Sequence, residues 1–129
     1  MPVAFEIVTP SRVAWKGEAD EVQAPGLMGE FGVLPDHAAL LSATRAGVVT
    51  IHKGGQATRM VVGPGFAEVG SGEMTLLVDL CEEGASVDKA EAAKDLAAAE
   101  SVLGAAEPGT KEFAAAQRKA ALASARLDV

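Results

Sequence analysis

Short segments in which apolar and polar residues alternate fill the first two thirds of the chain. Phe5 and Ile7 are separated by Glu6, and Leu76 and Val78 recur at the same spacing further along. A period of two residues is typical of a β-strand with one buried face and one face in water. The pattern therefore predicts a series of short strands between residue 3 and about residue 83.

Glycine-containing turns separate these segments. Gly54-Gly55 lies between two strand patterns, and such a pair favours a two-residue hairpin turn with positive φ at both positions. Ser71-Gly72 is interpreted in the same way. Many short strands at regular spacing indicate an antiparallel β-sandwich or flattened barrel, which we assign to residues 1–85. The pattern does not predict the order of the strands.

Beyond residue 86 the pattern changes to alanine interspersed with Glu, Lys and Arg, a composition of high helix propensity. Asp88 with Glu91 three residues later predicts an N-cap and capping box. Gly104 is interpreted as a C-cap before the break at Pro108, and Thr110 as the cap of a second helix. Residues 86–129 are therefore predicted to form an antiparallel two-helix hairpin, which gives a β-then-α fold.

The apolar stripe along these helices is narrow, and alanine supplies little apolar area for burial. We expect the hairpin to dock weakly on the β-domain and to be able to swing away; the alternative is a permanently packed helical cap. The stripe consists of Leu96, Leu103, Phe113, Ala120 and Leu127.

Net charge and hydropathy narrow the classes of partner. The formal net charge is −7 and the pI is about 4.7, whereas nucleic-acid binders need a basic surface. No apolar run approaches the roughly 18 residues of a membrane span. We therefore expect no nucleic-acid partner and no direct insertion into a membrane.

Cys81 is the single cysteine, so it cannot form an internal disulfide, which favours a reducing compartment. Its neighbours Glu82 and Glu83 are expected to raise the pKa of the thiol and so to disfavour a reactive thiolate. An apolar packing role is the expectation for this side chain.

The sequence contains no convincing catalytic or metal-binding pattern. Ser42, His37 and Asp36 could form a triad on paper, but no G-x-S-x-G elbow surrounds the serine. The two histidines and one cysteine lack metal-ligand spacing, and no glycine cluster forms a P-loop. We therefore predict no catalytic residue, no metal and no cofactor, and keep a small hydrolase using His37 and Asp36 only as a third hypothesis.

Residues 25–49 concentrate glycine and proline between short apolar pieces. Pro35 fixes φ and lacks an N–H donor, so the chain must turn or follow a sheet edge there. We interpret the stretch as a shaped surface loop, a kind of segment that commonly carries function. Within it, Met28, Glu30 and Phe31 are expected to present a carboxylate between apolar groups to a partner.

The motif G-E-F-G-V-L-P-D-H-A-A-L-L within this stretch closely resembles the signature loop of the epsilon subunit of F-type ATP synthases, called delta in mitochondria. The opening F-E-I-V-T-P, the later G-F-A-E-V and the tail R-L-D-V resemble further parts of the same family in the same order. The resemblance covers essentially the whole chain.

The resemblance implies a non-catalytic rotor subunit that turns with the gamma subunit and the c-ring and couples proton flow to the catalytic head. It also implies a hairpin that can extend into the alpha/beta head and inhibit ATP hydrolysis. The expected location is peripheral, at the cytoplasmic face of the bacterial plasma membrane. The implied contact residues are Met28, Glu30 and Phe31 for the c-ring, and Thr9, His37 and Ser42 for gamma.

Some members of the family bind ATP on the hairpin through an Ile/Leu-Asp-x-x-Arg-Ala pattern. The corresponding segment here is V-D-K-A-E-A, which keeps Asp88 but places Glu91 where the arginine belongs. On the second helix Arg126 matches a family arginine, whereas Leu122 replaces another. A carboxylate repels phosphate, so the resemblance implies weak ATP binding or none.

The alternative function is a free-standing nucleotide-sensing or ligand-binding β-sandwich protein. Such a protein needs a concave pocket with convergent polar groups, and no stretch of the sequence indicates one.

Overall fold

The computed structural model describes residues 2–129, in which ten strands precede two helices. The strands are β1 (Val3–Val8), β2 (Val13–Ala19), β3 (Glu21–Gly26), β4 (Gly29–Val33), β5 (Leu40–Thr44), β6 (Gly47–Lys53), β7 (Gln56–Val62), β8 (Gly65–Gly70), β9 (Glu73–Val78) and β10 (Cys81–Glu83). A 3-10 turn (Gly84–Ser86) leads to α1 (Lys89–Ala105) and α2 (Lys111–Asp128). The predicted fold class, a β-sandwich followed by a two-helix hairpin, is confirmed.

Hydrogen bonding joins the strands in the order β10-β7-β6-β3-β5-β8-β9-β1-β2, with β4 added to β3. The pairs are antiparallel except for β1 with β9, which is parallel. The β3–β5 junction consists of the single pair Gly26 and Thr44, so the sheet divides there into two layers. One layer contains β5, β8, β9, β1 and β2, and the other contains the remaining strands.

Alternate residues of both layers form one core between them. Phe5, Ile7 and Leu76 come from the first layer, and Ile51 and Met60 come from the second. All five side chains are at most 2% exposed. The alternation that predicts strands therefore also identifies the buried face, as expected for a sandwich.

The turn at Gly54-Gly55 is confirmed. Gly54 has φ of 58° and Gly55 has φ of 79°, the left-handed region that a two-residue hairpin turn requires at both positions. Glycine adopts this region without a Cβ penalty, which is why the pair can join β6 to β7 with unbroken pairing.

Both predicted N-caps are confirmed. The Asp88 carboxylate accepts a hydrogen bond from the Glu91 N–H at 3.1 Å, and the Thr110 hydroxyl accepts one from the Phe113 N–H at 3.2 Å. Each cap satisfies one of the otherwise unpaired N–H groups of the first helical turn.

The prediction that Gly104 is the C-cap is wrong. Helix α1 continues through Gly104 to Ala105, and Ala106, in an extended conformation, donates its N–H to the carbonyl of Val102 at 2.7 Å. Pro108 disfavours helical geometry at the residue before it, so the break is set by the proline and not by the glycine.

Alanines, and not the predicted larger residues, are the most buried side chains of the hairpin. Ala92 and Ala99 on α1 and Ala116 and Ala123 on α2 recur at heptad spacing and are at most 7% exposed. The predicted stripe of Leu96, Leu103, Phe113, Ala120 and Leu127 is half-buried. Close approach of the two helices puts the small residues at their contact and the larger ones at its edge.

Helix α2 packs over β6 and β7, on the face that points away from the core. Val61 of β7 lies on that face, between the core residues Met60 and Val62, and is fully buried. Within residues 2–129, no helix is long and apolar enough to cross a membrane.

Candidate functional site

The outer face of the first layer carries a row of exposed apolar side chains. Register pairs Ala43 with Phe66, Phe66 with Leu77, and Leu77 with Val8. Directly paired residues project to the same side of a sheet. The adjacent row contains Ala67 and Leu76, both 0% exposed, so the apolar row must point away from the core.

Large side chains in this surface are unusually open to water. Phe66 is 56% exposed and Leu77 is 46% exposed. Leu41, in the next row on the same face of the sheet, is 72% exposed. We call the surface formed by Val8, Leu41, Ala43, Phe66 and Leu77 the outer apolar face. A contiguous apolar surface of this kind is typical of a site that another protein covers.

Acidic residues border the outer apolar face. The row that contains Leu41 continues through Glu68 and Thr75 to Glu6. The same row then reaches Lys16 of β2, which is paired with Glu6, so the margin carries two carboxylates and one ammonium group. The apolar centre, and not the charge of its margin, is therefore the feature of this face that favours a partner.

The second exposed apolar feature is the turn between β3 and β4. Leu27 is 63% exposed and Met28 is 99% exposed, and the flanking residues Gly26 and Gly29 are paired with each other. The prediction that residues 25–49 form a surface loop is therefore wrong: most of the stretch is strand, and its tip is a two-residue turn. We call Leu27 and Met28 the hairpin tip.

Close backbone contact explains the glycine at position 26. A Cβ there would lie 2.5 Å from the Gly29 carbonyl oxygen and 2.9 Å from the Phe31 ring. Only glycine fits these contacts without displacement, so it lets the strands narrow to the hairpin tip.

The three residues predicted to contact the c-ring are not equivalent. Met28 and Glu30 are exposed, whereas Phe31 is half-buried and packs against the core. Phe31 therefore fixes the β3–β4 strand pair to the core. The exposed apolar surface that Phe31 was expected to supply is supplied by Leu27.

The predicted turn at Pro35 is confirmed, because the His37 N–H donates to the Leu34 carbonyl across Pro35-Asp36 at 3.0 Å. The His37 ring contacts its neighbour, with Nδ1 2.6 Å from the Ala38 carbonyl oxygen. The Ser42 hydroxyl donates to the Ala43 carbonyl at 3.2 Å. Within the described residues no hydrogen bond links Ser42, His37 and Asp36, so the geometry does not support a catalytic triad of these residues.

Thr9, His37 and Ser42 do not form one cluster. Strands β5 and β1 run parallel within their layer, and His37 precedes β5 whereas Thr9 follows β1. These two residues therefore lie toward opposite ends of the layer. Ser42 is paired with the buried Ala67 and projects toward the core side. Position along the chain does not reveal strand direction, so the sequence could not show this separation.

His52 is predicted to be exposed, but in the structure it is half-buried and contacts a neighbouring strand of the second layer. Its Nε2 lies 3.1 Å from Gln23 Oε1 on the neighbouring strand, and the side chain is half-buried. In the part of the chain that the structure describes, no group of three or more His, Cys, Asp or Glu side chains is placed to hold a metal ion.

The structure brings Asp88 and Arg126 to the same small cavity, about 230 Å³ in volume, at the base of the hairpin. Asp88 is occupied as the cap of α1. Arg126 donates to the two carboxylate oxygens of Glu82 at 2.7 and 3.2 Å and lies 3.8 Å from Asp95. The hydrogen bond that Arg126 donates to Glu82 raises the pKa of Arg126 above its ordinary value.

This arrangement has two consequences. Glu82 (β10), Asp95 (α1) and Arg126 (α2) join three elements, and we call them the hairpin latch. With Asp88 and Glu91, four carboxylates surround a single guanidinium, so the local charge opposes a polyphosphate. Arg126 can be predicted from the sequence, whereas Glu82 and Asp95 are identified only by their proximity to it in the fold.

Cys81 is 5% exposed, in agreement with a packing role. Burial is the largest cause of its raised thiol pKa; the charge of Arg12 lowers it, and Glu82 and Glu83 raise it further. The direction predicted from the sequence is confirmed, although the main cause is burial and not the neighbouring acids.

Sequence comparison identifies related proteins. The model of the family described as "ATP synthase, Delta/Epsilon chain, beta-sandwich domain" matches residues 2–84. The chain is 36% identical over 107 residues to the ATP synthase epsilon chain of Afipia carboxidovorans, covering 83% of this chain and 79% of that protein. It is also 36% identical over 128 residues to the chloroplastic ATP synthase epsilon chain of Chaetosphaeridium globosum, covering 99% and 93% respectively.

Structure comparison shows the same fold in a solved assembly. A chain of the Euglena gracilis mitochondrial ATP synthase structure, described as OSCP/F1/c-ring in rotational state 1, superposes with a TM-score of 0.83 at 17% identity. The superposition covers 95% of this chain and 78% of that chain. At this identity the match shows that the β-domain and the hairpin have a known arrangement.

Proposed function

Because the chain belongs to the ATP synthase delta/epsilon family, we propose that it is the non-catalytic central-stalk subunit of an F-type ATP synthase. In this role it turns with gamma and the c-ring and couples proton flow to the catalytic head. The observation that carries the proposal is the outer apolar face, which an isolated protein would leave in contact with water. The comparisons support the family, and the exposed surfaces support the assignment of individual contacts.

The outer apolar face is the proposed gamma-binding surface. Burial of Phe66, Leu77 and Leu41 against a partner removes apolar area from water, which is the main driving force for association. Thr9 and His37 lie toward opposite ends of the same layer and are proposed as marginal contacts. Ser42 contributes through the backbone of β5, since its side chain projects toward the core side.

The hairpin tip is the proposed c-ring contact. Leu27 and Met28 present apolar side chains on a narrow strand-turn-strand projection, and the exposed carboxylate of Glu30 follows directly. Phe31 anchors this projection to the core and so transmits force between the tip and the β-domain.

The two-helix hairpin is proposed to have an inhibitory role. In this structure it is folded onto β6 and β7 and held by alanine contacts and the hairpin latch. Released from those contacts, it is able to extend along gamma toward the alpha/beta head and block ATP hydrolysis. Attachment to the membrane is then peripheral, through the other subunits, and we place the protein at the cytoplasmic face of a bacterial plasma membrane.

A binding experiment tests the gamma-binding surface. An alpha-beta-gamma head prepared without this subunit is mixed with the chain, and complex formation is followed by size-exclusion chromatography and light scattering. We expect the unmodified chain to co-elute and the double variant Phe66→Glu/Leu77→Glu to remain free, because two carboxylates would have to be desolvated at the centre of the contact.

The matched control is Ala114→Glu/Ala124→Glu, which adds the same charge at two exposed positions on α2. It is expected to bind as the unmodified chain does when the hairpin is folded. Equal retention of both double variants would show that gamma binds elsewhere.

A further inference from the structure

A cleft of about 450 Å³ lies between α2 and the strand ends of the β-domain, and its lining shares no residue with the outer apolar face or the hairpin latch. The β-domain wall comes from the turns that follow β5, β7 and β9. The helical wall comes from the middle of α2. This volume is within the range of sites that hold small molecules, roughly 300–1,000 Å³.

Thr44 gives the first sign that the cleft has an occupant. It lines the cleft, is 4% exposed, and is the buried polar side chain of the described core. Its Oγ1 atom has no hydrogen-bond partner within residues 2–129. Buried hydroxyls are nearly always paired, because an unpaired one loses the hydrogen bond it would make with water.

The chemistry of the walls indicates which occupant fits. Leu27, Pro64, Leu80, Ala121 and Leu122 make the walls mainly apolar. A hydrocarbon group would bury itself against them, and water would not be well held there.

The charged groups around the cleft are Arg45 on the β-domain, Arg118 on α2, and Asp79 opposite Gly63. Neither arginine forms an ion pair with any residue from 2 to 129. The two guanidinium groups outnumber the single carboxylate and come from opposite walls, so the balance favours an anion.

We propose that this cleft binds a small amphipathic carboxylate. The hydrocarbon part lies against the apolar walls, and Arg45 and Arg118 pair with the carboxylate from the two sides. A small movement of the wall lets the Thr44 hydroxyl, which is closed to water in this structure, donate to the same carboxylate. Because α2 supplies one wall, the complete site exists only when the hairpin is folded. The ligand therefore stabilises the folded hairpin by mass action.

The test uses octanoate as the probe and the full chain labelled with nitrogen-15. Amide shifts are followed during titration with octanoate, with octylammonium and with 1-octanol. We expect saturable shifts with octanoate, centred on residues 44–46, 63–64, 79–80 and 117–122. The other two probes are expected to bind at least about fivefold more weakly, since neither pairs with the arginines.

Two variants examine the polar groups. Thr44→Val keeps the side-chain shape and removes the hydroxyl, and Arg118→Gln removes one charge; each is expected to weaken octanoate binding by about fivefold to tenfold. Arg59→Gln, on β7 outside the cleft, is the matched control and is expected to bind as the unmodified chain does.

A third variant keeps the proposal testable if Thr44→Val disturbs the fold. Ala121→Trp fills the cleft from the helix without altering any polar group, and is expected to abolish the octanoate shifts. The proposal is overturned if octanoate produces no saturable shifts, if all three probes bind equally, or if Ala121→Trp leaves the shifts unchanged.

Discussion

At the scale of single residues, position in the fold decides what each side chain can do. Phe31 and Met28 are three residues apart in the same motif, yet one packs against the core and the other is 99% exposed. Leu76 and Leu77 are adjacent, yet one is in the core and the other on the outer apolar face. Residue type alone does not distinguish these pairs.

Gly26 is expected to be intolerant of even a methyl group. The Cβ that Gly26→Ala adds would lie 2.5 Å from the Gly29 carbonyl oxygen, so the backbone of β3 and β4 must shift. We predict a loss of about 1–3 kcal/mol in the free energy of unfolding, measured by urea denaturation.

The control is Gly104→Ala inside α1, where a new Cβ meets nothing within 4 Å. That substitution is expected to stabilise the chain by about 0.5–1 kcal/mol, because alanine favours the helix. If both variants lose stability equally, crowding at Gly26 is not the cause.

Cys81 is expected to make the fold less stable at alkaline pH. Burial raises its thiol pKa above the ordinary value of 9.0, so the unfolded chain releases this proton first as the pH rises. This contribution is complete below 9.0 and is lost as the pH rises through 9.0 toward the folded pKa. The free energy of unfolding is measured at about pH 8 and about pH 10. Its decrease between the two pH values should be larger for the unmodified chain than for Cys81→Ala. Identical pH dependence would contradict the assignment.

At the scale of elements, strands and helices followed from local patterns, whereas their partners did not. Alternation predicted the strands, and Asp88 and Thr110 predicted both helix starts, because caps and pleats are local. The position of Thr9 relative to His37 depends on the parallel β1–β9 pairing, which no local pattern encodes. The latch partner Glu82 is 44 residues from Arg126 in sequence.

The hairpin latch is expected to hold the helices to the β-domain. Arg126→Gln removes the bidentate contact with Glu82, and we predict that hydrogen exchange in α1 and α2 becomes several-fold faster, equivalent to about 1 kcal/mol. Exchange in β8 and β9 should not change. Lys119→Gln, which neutralises an exposed charge on α2, is the control; an equal effect from it would indicate a general charge effect.

The same cluster of carboxylates is expected to exclude ATP. Calorimetric titration of the chain with ATP, with and without Mg²⁺, should show no micromolar binding. Adding positive charge through Glu91→Arg and Leu122→Arg should increase ATP affinity relative to the unmodified chain, because phosphate then meets less repulsion. Micromolar binding by the unmodified chain would contradict the charge argument.

At the scale of the whole molecule, the two domains show different kinds of stability. The β-domain has a continuous core shared by both layers, whereas the hairpin rests on small alanine contacts and a few charged groups. This difference would suit the proposed role, in which the β-domain transmits rotation and the hairpin changes position. Alternation places Leu77 opposite Leu76 and Val78, but the outer apolar face could not be predicted because only the sheet register brings Phe66 beside Leu77.

The most direct measurement is the solvent access of Leu77 before and after assembly. A Leu77→Cys/Cys81→Ala chain is labelled with a maleimide, free and bound to an alpha-beta-gamma head, and the rates are compared with those of Ala57→Cys/Cys81→Ala, which is exposed on the other layer. The account predicts that assembly slows labelling at position 77 by at least about tenfold and leaves position 57 nearly unchanged, since a packed interface excludes water. Equal labelling rates at position 77 in the free and assembled states would contradict it.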